Sequence, residues 1–393
     1  MSKQTMTPER VGKEYSAGIS FNSGIDLYDC VETNENFFIG KQWEGVQSNG
    51  LPTPVFNFLK RVVLFSVANI STDNLKLWAR AMSSSGERNT QTLELVADIL
   101  NDQFASIFEH NSIGGCIREY TRNAAVDGDG CMYTYWDDTA ETGQASKGAI
   151  RTEVLMNTQV LFGNPNNRDV QSQPYIILER RMLLSEARKR AKRYGKDPDE
   201  IQPDNKDCGN NYMDSMSGSG NKVTVLLRLW KDDETGTVHA YECTRQAEIR
   251  GDLDLGIKLY PLTWMNWDYV QDCYHGQAMI TGLLPNQIFV NKLFAMSMIS
   301  LMTLAYPKVV YDSTKVAKWT NKIGGAIPVN GSVEGVAKII DPASISPQIS
   351  SSTLPSATRR SSSAHRTWRW AIPARTTPPP LSPCSGRRQR LWS

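Results

Sequence analysis

The chain is 393 residues long, more than one typical domain needs, so two or three folding units are expected. Hydrophobic residues make up 40% of the sequence and aromatic residues 9%, which is enough to fill real cores and excludes disorder as the default. The net charge of +2 hides an asymmetry, because from Ser351 onward there are eight Arg and no Lys, Asp or Glu. The first 350 residues carry 35 basic and 41 acidic side chains, which excludes a body that wraps nucleic acid.

The cysteines and histidines argue against disulfide and metal chemistry. The seven Cys are dispersed, without a CxxC pair, and none of the four His lies at zinc spacing. Such a set is typical of reduced thiols in a cytosolic protein. The N-terminal MSKQTMTPER has no apolar segment, so no secretory signal is expected.

The N-terminal part predicts a polar arm followed by a helix. Residues 1–36 are polar and interrupted by glycines, and we expect a flexible arm or a short helix there. The aromatic and glycine-rich stretch 37–45 predicts a structured turn. Pro52 and Pro54 favour the start of a helix that continues through Val67.

Two further helices are predicted before the first strand. Apolar residues recur at three- and four-residue spacing over 89–109, which indicates an amphipathic helix. A second helix is expected over 113–126, ended by the DGDG sequence at 127–130. The aromatic sequence 131–138 then predicts a strand.

The middle of the chain predicts a β-rich region with one surface helix. Strand character is strong at 175–179, and 183–195 predicts a short basic helix capped by Ser. Residues 196–222 are rich in Asp, Asn, Gly and Ser and predict a mobile insertion loop. A β-hairpin at 223–244 and an aromatic strand or rim at 260–269 follow.

A single long helix is predicted between Gly276 and Ala305, with Pro285 as a kink in its early part. Its most apolar stretch, 293–306, is about fourteen residues long, short of the roughly 20 that span a bilayer. We therefore expect a buried helix and no membrane. Short β segments are expected after it, around 307–312, 326–329 and 337–340.

No catalytic constellation is found, since the P-loop, GxGxxG, HExxH and GxSxG motifs are all absent. We expect no enzyme, no metal and no cofactor. The DGDG sequence superficially resembles a calcium loop, but without the EF-hand pattern and its Glu a helix-to-strand turn is preferred. Asp232, Asp233 and Glu234 lie in the predicted hairpin turn, which favours a solvated loop over paired catalytic carboxylates.

Two further features have both a functional and a structural interpretation. The basic helix offers five side chains to a phosphate: Arg188, Lys189, Arg190, Lys192 and Arg193. A solvated helix face beside an acidic loop is the preferred interpretation of these residues. His275 is a candidate proton donor, although we expect it to cap the long helix instead.

Several segments, in their order along the chain, resemble the portal proteins of tailed phages. FFIGKQWEG at 37–45 resembles the aromatic-Gly-x-Gln-Trp segment that precedes the first portal helices, and 122–138 resembles the turn from a wing helix into a strand. Residues 162–182 resemble another recurrent portal stretch. The strongest resemblance lies at 275–312, which is similar to the stem entry: a Gly, a helix with Gln and Asn, then a Pro-Lys strand. Residues 321–331 resemble the clip that follows that helix.

The resemblance implies an α+β fold made of five regions. These are a flexible N-terminal arm (1–36), a wing-like mixed α/β domain (37–272) with its mobile loop, a stem helix (273–306), a small β clip (307–345) and a disordered tail (346–393). The implied stem or oligomer contacts are Gly276, Gln287, Asn291, Phe294 and Met298. The implied clip residues are Pro307, Lys308, Trp319, Gly324 and Gly325.

The resemblance implies a structural subunit of the virion. In that family the subunits form a ring, twelve when full length, at one capsid vertex, and double-stranded DNA passes through it non-specifically during packaging and ejection. The implied partners are further copies of the chain, the terminase large subunit, a head–tail adaptor, and scaffold and capsid proteins, with assembly in the bacterial host cytoplasm. An acidic body lining the channel would repel phosphate and let DNA slide. The alternative is another phage head protein, such as a head–tail adaptor or a minor head protein, although adaptors are usually shorter and mostly helical.

The tail departs from the portal pattern. Portal chains return from the clip through a second stem helix and an Ala-Leu-Gly segment, whereas residues 350–393 are rich in Ser, Pro and Arg. Reading each codon's third base with the first two of the next gives a portal-like segment at Thr367–Leu381, where two forced positions both fit. We therefore expect a one-frame slip near residue 350 that truncates this copy; a native Arg/Pro/Ser linker is the alternative.

Overall fold

The computed structural model describes residues 6–48, 50–71, 76–81, 90–141, 147–204, 221–305, 309–318 and 327–339. Within these residues the chain is an α+β protein built from α-helices and antiparallel sheets. It divides into two units, which are described separately. The first unit comprises Met1–Gln47 and Thr53–Asn291, and the second comprises Ser48–Pro52 and Lys292–Ser393.

The helices of the described part are α1 (Pro8–Gly24), α2 (Leu27–Ile39), α3 (Phe58–Ile70), α4 (Thr90–His110), α5 (Ile113–Asp127), α6 (Leu184–Arg193) and α7 (Met279–Ala305). Its strands are β1 (Asp129–Asp137), β2 (Ala149–Leu155), β3 (Val160–Phe162), β4 (Tyr175–Leu183), β5 (Lys222–Lys231), β6 (Val238–Cys243), β7 (Glu248–Asp254), β8 (Leu262–Asn266), β9 (Val309–Tyr311) and β10 (Ala337–Ile339). The first unit holds two sheets, ordered β2-β1-β8 and β3-β4-β5-β6-β7, with antiparallel neighbours throughout.

Both faces of the five-stranded sheet are covered, and β4 shows why. Ile176, Ile177 and Leu178 are consecutive and fully buried, as expected for a strand with packing on both sides. Ile176 and Leu178 belong to the same core as Tyr133 of the three-stranded sheet. Ile177 belongs to a second core that contains Tyr15 of α1.

Helix α1 lies within the segment 1–36, for which the sequence predicted a flexible arm or a short helix, and the structure has the helix. The Thr7 side chain accepts a hydrogen bond from the backbone N–H of Arg10, and Pro8 takes the first helical position. Tyr15 is buried, and its hydroxyl donates to the Glu179 carboxylate at 3.1 Å. The polar composition of the segment concealed the few side chains that dock it on the sheet.

A helical layer forms the rest of the first unit. Helices α2, α3 and α5 pack with the beginning of α7 around a shared apolar cluster that includes Val63, Val126 and Ile280. Asn34 on α2 donates to the Val126 carbonyl at 2.9 Å, so the layer also has a buried polar tie.

Most local predictions are confirmed. Helices α4 and α5, the β5–β6 hairpin, the strand β8 and the long helix with Pro285 inside it lie where they were expected. Helix α3 begins later than predicted, at Phe58, where Asn57 caps it by accepting from the Lys60 backbone N–H. The Ser cap predicted for α6 is wrong, because the cap position is Leu183 and makes no side-chain bond.

The expected mobile loop is anchored where it begins. Ile201 is fully buried, and its carbonyl accepts a hydrogen bond from the Arg188 guanidinium at 2.9 Å. The first part of the loop is thus anchored on α6, residues 205–220 lie outside the described residues, and the mobility stays a prediction.

The second unit contains the end of α7 and a two-stranded antiparallel sheet in which Val310 of β9 pairs with Lys338 of β10. Two of the three β segments predicted here are thus confirmed, whereas 327–329 is not in a strand. The tail 346–393 lies outside the described residues, and so do the predicted clip residues Pro307, Lys308, Trp319, Gly324 and Gly325.

Candidate oligomer interface

A buried histidine–carboxylate pair lies just before α7. The His275 Nδ1 is 2.6 Å from Asp129 Oδ2, and both side chains are almost completely shielded from solvent. His275 therefore does not cap α7, which begins four residues later at Met279, and that prediction is wrong. The pair is also closed to a substrate, so it does not support a proton-donor role.

The same carboxylate collects further donors. Asp129 Oδ1 accepts from the Gly276 backbone N–H at 2.7 Å and from Asn266 Nδ2 at 2.8 Å, and Asn157 Nδ2 lies 3.4 Å from Oδ2. The other ring nitrogen of His275 is 3.2 Å from Asn22 Oδ1 on α1. The cluster joins β1, β8 and α1 at the point where the chain enters α7.

The DGDG sequence forms the helix-to-strand turn that was predicted for it. Helix α5 ends at Asp127, Gly128 follows with φ +102°, and β1 begins at Asp129. A Cβ on Gly128 would lie 2.6 Å from the Gly276 carbonyl oxygen, and a Cβ on Gly276 would lie 2.8 Å from the Asp268 carbonyl oxygen. Both positions need glycine because two backbone segments touch there.

Asp127, the first residue of the DGDG sequence, is buried and contacts a different set of neighbours, Glu35 and Arg122 among them. Burial and the negative charge of Glu35 raise the pKa of the Asp127 carboxyl well above its usual range. Glu35 is held by the Arg122 guanidinium, with Nη1 2.5 Å from Oε1. No group of three His, Cys, Asp or Glu side chains placed to hold a metal occurs in the described part of the chain.

The first half of α7 is tied to the first unit by amides. Gln287 Nε2 donates to the Phe56 carbonyl at 2.7 Å and to Asn291 Oδ1 at 3.0 Å. Asn291 Nδ2 in turn donates to Gln42 Oε1 at 2.6 Å. Gln287, Asn291 and Gln42 are all buried. The two amides predicted as intersubunit contacts thus have their hydrogen-bond partners within their own chain, and Gly276 is engaged by Asp129 in the same way.

The second half of α7, residues 292–305 and hereafter the distal half, is different. Its exposed side chains include Met296, Met298, Leu301, Met302 and Leu304, with 40% of Met298 and 66% of Leu301 accessible. These positions are distributed around the helix and do not form a single apolar face. Phe294 is the buried apolar residue of this half. A helix that is apolar on all sides requires cover from protein or lipid.

By length and composition α7 is also long and apolar enough to cross a membrane, and little of its surface is buried. The count of about fourteen apolar residues from sequence covered 293–306 alone, whereas an 18-residue window within Met279–Ala305 is apolar enough to qualify. The expectation that this helix is buried is wrong, since only 11% of that window is buried. Helix α4 is uncovered as well: the pattern that predicted it is confirmed, yet Leu93, Val96 and Leu100 are exposed.

A cavity of about 750 Å³ lies between the two sheets and α6, and several of its charged side chains are paired with one another. Arg190 bonds to Glu242 at 3.1 Å and Arg193 to Asp138 at 3.1 Å, so two residues predicted as alternative phosphate contacts face carboxylates. Arg180 is likewise paired with Glu153. The cavity therefore has no net positive charge to attract an anion.

Asp232 lies in the hairpin turn, and its carboxylate accepts a hydrogen bond from the Thr235 backbone N–H, as a turn residue does.

The chain matches no protein-family model and no curated protein. The candidate interface is therefore defined by geometry alone: a helix tied to an α+β unit by buried polar groups and left uncovered over its distal half. Sequence reasoning singled out His275, Gln287 and Asn291 but missed their partners Asp129, Asn22 and Gln42. The DGDG glycines were the one local signal that pointed to Asp129.

Proposed function

We propose that this chain is a structural subunit of a tailed-phage portal, a ring at the capsid vertex through which double-stranded DNA passes. The observation that carries the proposal is the uncovered distal half of α7, continuous with a first half that is fixed to the first unit by Gln287 and Asn291. A helix anchored at one end and uncovered at the other is suited to packing beside copies of itself.

The energetic reason is apolar surface. Fully burying one Leu or Met side chain is worth about 1.5–3 kcal/mol, so covering five exposed side chains on each copy strongly favours association. Closed cyclic symmetry gives every copy the same cover and leaves no uncovered end. The acidic balance of residues 1–350 suits a channel in which DNA phosphate slides without sticking.

Membrane insertion of α7 is a second candidate, favoured by its length and apolar composition. The buried amides oppose it. Residues up to Asn291 are engaged with Gln42 and Phe56, which leaves the distal half free. Its fourteen residues rise about 20 Å, short of the roughly 30 Å hydrocarbon core of a bilayer.

Particle mass and negative-stain microscopy test the proposal, applied in parallel to the chain and to a version with the reading frame restored after residue 350. We expect rings with a central hole, of mass many times the 44.0 kDa subunit, at least for the restored version. Monomers of both versions would contradict the proposal. Flotation of both with liposomes, without rings, would favour the membrane candidate instead.

A further inference from the structure

We infer that Asp129 is the positioning residue that fixes the base of α7 on the first unit, acting through His275, Gly276 and Asn266. The inference deepens the proposed function, since it names what sets the direction of the helix that we propose for the stem. It stands on the contacts of one buried side chain.

Four groups surround the Asp129 carboxylate; three are N–H donors, and the fourth, His275 Nδ1, donates in the tautomer that carries its proton. They are His275 Nδ1 at 2.6 Å, the Gly276 backbone N–H at 2.7 Å, and the amide nitrogens of Asn266 at 2.8 Å and Asn157 at 3.4 Å. Only an ionised carboxylate offers acceptors alone at both of its oxygens. An Asn at position 129 would turn an N–H₂ group toward N–H donors and leave at least one of them unbonded.

The burial of the Asp129 carboxylate has an energetic cost. Asp129 is fully shielded from solvent, and a buried carboxylate is strongly unfavourable unless hydrogen bonds and an opposite charge compensate for its lost hydration. A turn between a helix and a strand does not require a buried charge, because Asn or Ser satisfies most turns. The carboxylate is therefore explained by the groups that it holds together, and these lie on the two sides of the entry to α7.

The backbone around Asp129 leaves little room for adjustment. Gly128 lies against the Gly276 carbonyl, and the Gly128 carbonyl accepts from the Trp267 backbone N–H at 2.9 Å. Helix α7 begins three residues after Gly276 and continues for 27 residues, about 40 Å. Because the helix is unbroken, a tilt of about 10° at its base displaces its far end by roughly 7 Å. Closed rings do not tolerate such variation between copies.

Hydrogen exchange and particle mass together test the inference in the full chain. Asp129→Asn is compared with Asp137→Asn, which changes a partly exposed carboxylate at the other end of the same strand, outside the Asp129 cluster. We expect the Gly276 amide and those of the first turn of α7 to exchange at least tenfold faster in D129N and to stay unchanged in D137N. Assemblies of D129N should be fewer or heterogeneous while its far-UV spectrum stays native. Exchange and assembly like those of the native chain would overturn the inference.

If D129N does not fold, two substitutions at His275, which contacts Asp129, test the same inference. His275→Asn keeps a donor at the position of Nδ1, whereas His275→Leu removes it. We expect native exchange at Gly276 in H275N and fast exchange in H275L, and equal behaviour of the two would overturn the inference. The exchange readout does not need a ring, so it separates this inference from the proposed function, which stands or falls on the particles seen with the native chain.

Discussion

Gln287 and Asn291 lie one turn apart on α7, and the amide of the first donates to the side-chain oxygen of the second at 3.0 Å while both point into the first unit. Each also reaches a group outside the helix, the Phe56 carbonyl and the Gln42 side chain. An apolar helix thus carries its two buried amides on the side where they have partners.

Replacing Asn291 by Leu should destabilise the protein by about 1–3 kcal/mol, because Gln42 and Gln287 would each lose a buried partner. Urea unfolding of the purified chain measures this loss. Asn286→Leu is the matched control, since Asn286 is exposed on the same helix and should change the free energy of unfolding by less than about 0.5 kcal/mol. Equal effects at the two positions would contradict the assigned contacts.

The buried ion pair between Glu14 of α1 and Arg228 of β5 should matter far more than a surface pair. Arg228 is 4% exposed and donates to Glu14 from Nε at 2.6 Å and Nη2 at 3.2 Å. Glu14→Ala leaves the guanidinium buried without its carboxylate, and we expect a loss of about 3–5 kcal/mol in urea unfolding. Glu141→Ala breaks the exposed pair with Lys147 and should cost at most about 1 kcal/mol.

The buried carboxyl of Asp127 should make the free energy of unfolding depend on pH. Burial and the charge of Glu35 raise the pKa of this carboxyl in the folded chain, so folding favours its protonated form. Its contribution to the free energy of unfolding is complete below the unfolded pKa of about 3.9 and is lost as the pH rises toward the folded pKa.

Asp127→Asn removes this titration while keeping the shape of the side chain. We expect the variant to be more stable than the native chain at neutral pH, with the difference shrinking as the pH falls toward about 4. Thermal unfolding of both proteins over a pH series measures it. A difference that grows as the pH falls would contradict the raised pKa.

The distal half of α7 should govern association without governing folding. Leu301 is 66% exposed, so Leu301→Glu leaves the monomer nearly as stable as before but places a charge in the proposed contact between copies. We expect assemblies of the variant to dissociate in light scattering while its unfolding midpoint at low concentration stays unchanged. Lys258→Glu, an exposed substitution in the first unit, serves as the control and should leave association intact.

The expected frame slip has a direct test at the level of the gene. Resequencing the region around codon 350 should reveal an inserted or missing base, after which the reading continues into a portal-like segment. An intact reading frame with no such segment in either alternative frame would favour the native Arg/Pro/Ser linker.

Local patterns predicted well those parts of the fold whose stabilising contacts are close in sequence. Helix α5 and the β5–β6 hairpin show their apolar periodicity within one segment, and both are confirmed. Strand β2 was missed because its central residues are polar and it depends on pairing with β1.

The candidate site required contacts that no local pattern contains. Asp129 and His275 are 146 positions apart in the sequence. Asn34 donates a hydrogen bond to Thr281, which lies 247 positions away. The sequence identified the long helix and its two amides, but the side on which these amides are satisfied depends on Gln42 and Phe56, which belong to distant segments.

The docking of α1 on the five-stranded sheet has a consequence for synthesis on the ribosome. Tyr15 packs in a cluster with Leu161, Leu226 and Cys243, so the first helix to leave the exit tunnel meets its complete partner surface only after some two hundred further residues have been translated. At roughly 5–20 residues per second this delay is about ten seconds or more. During that interval Val11 and Tyr15 are available to chaperones, and a nascent chain released early would present them to other chains.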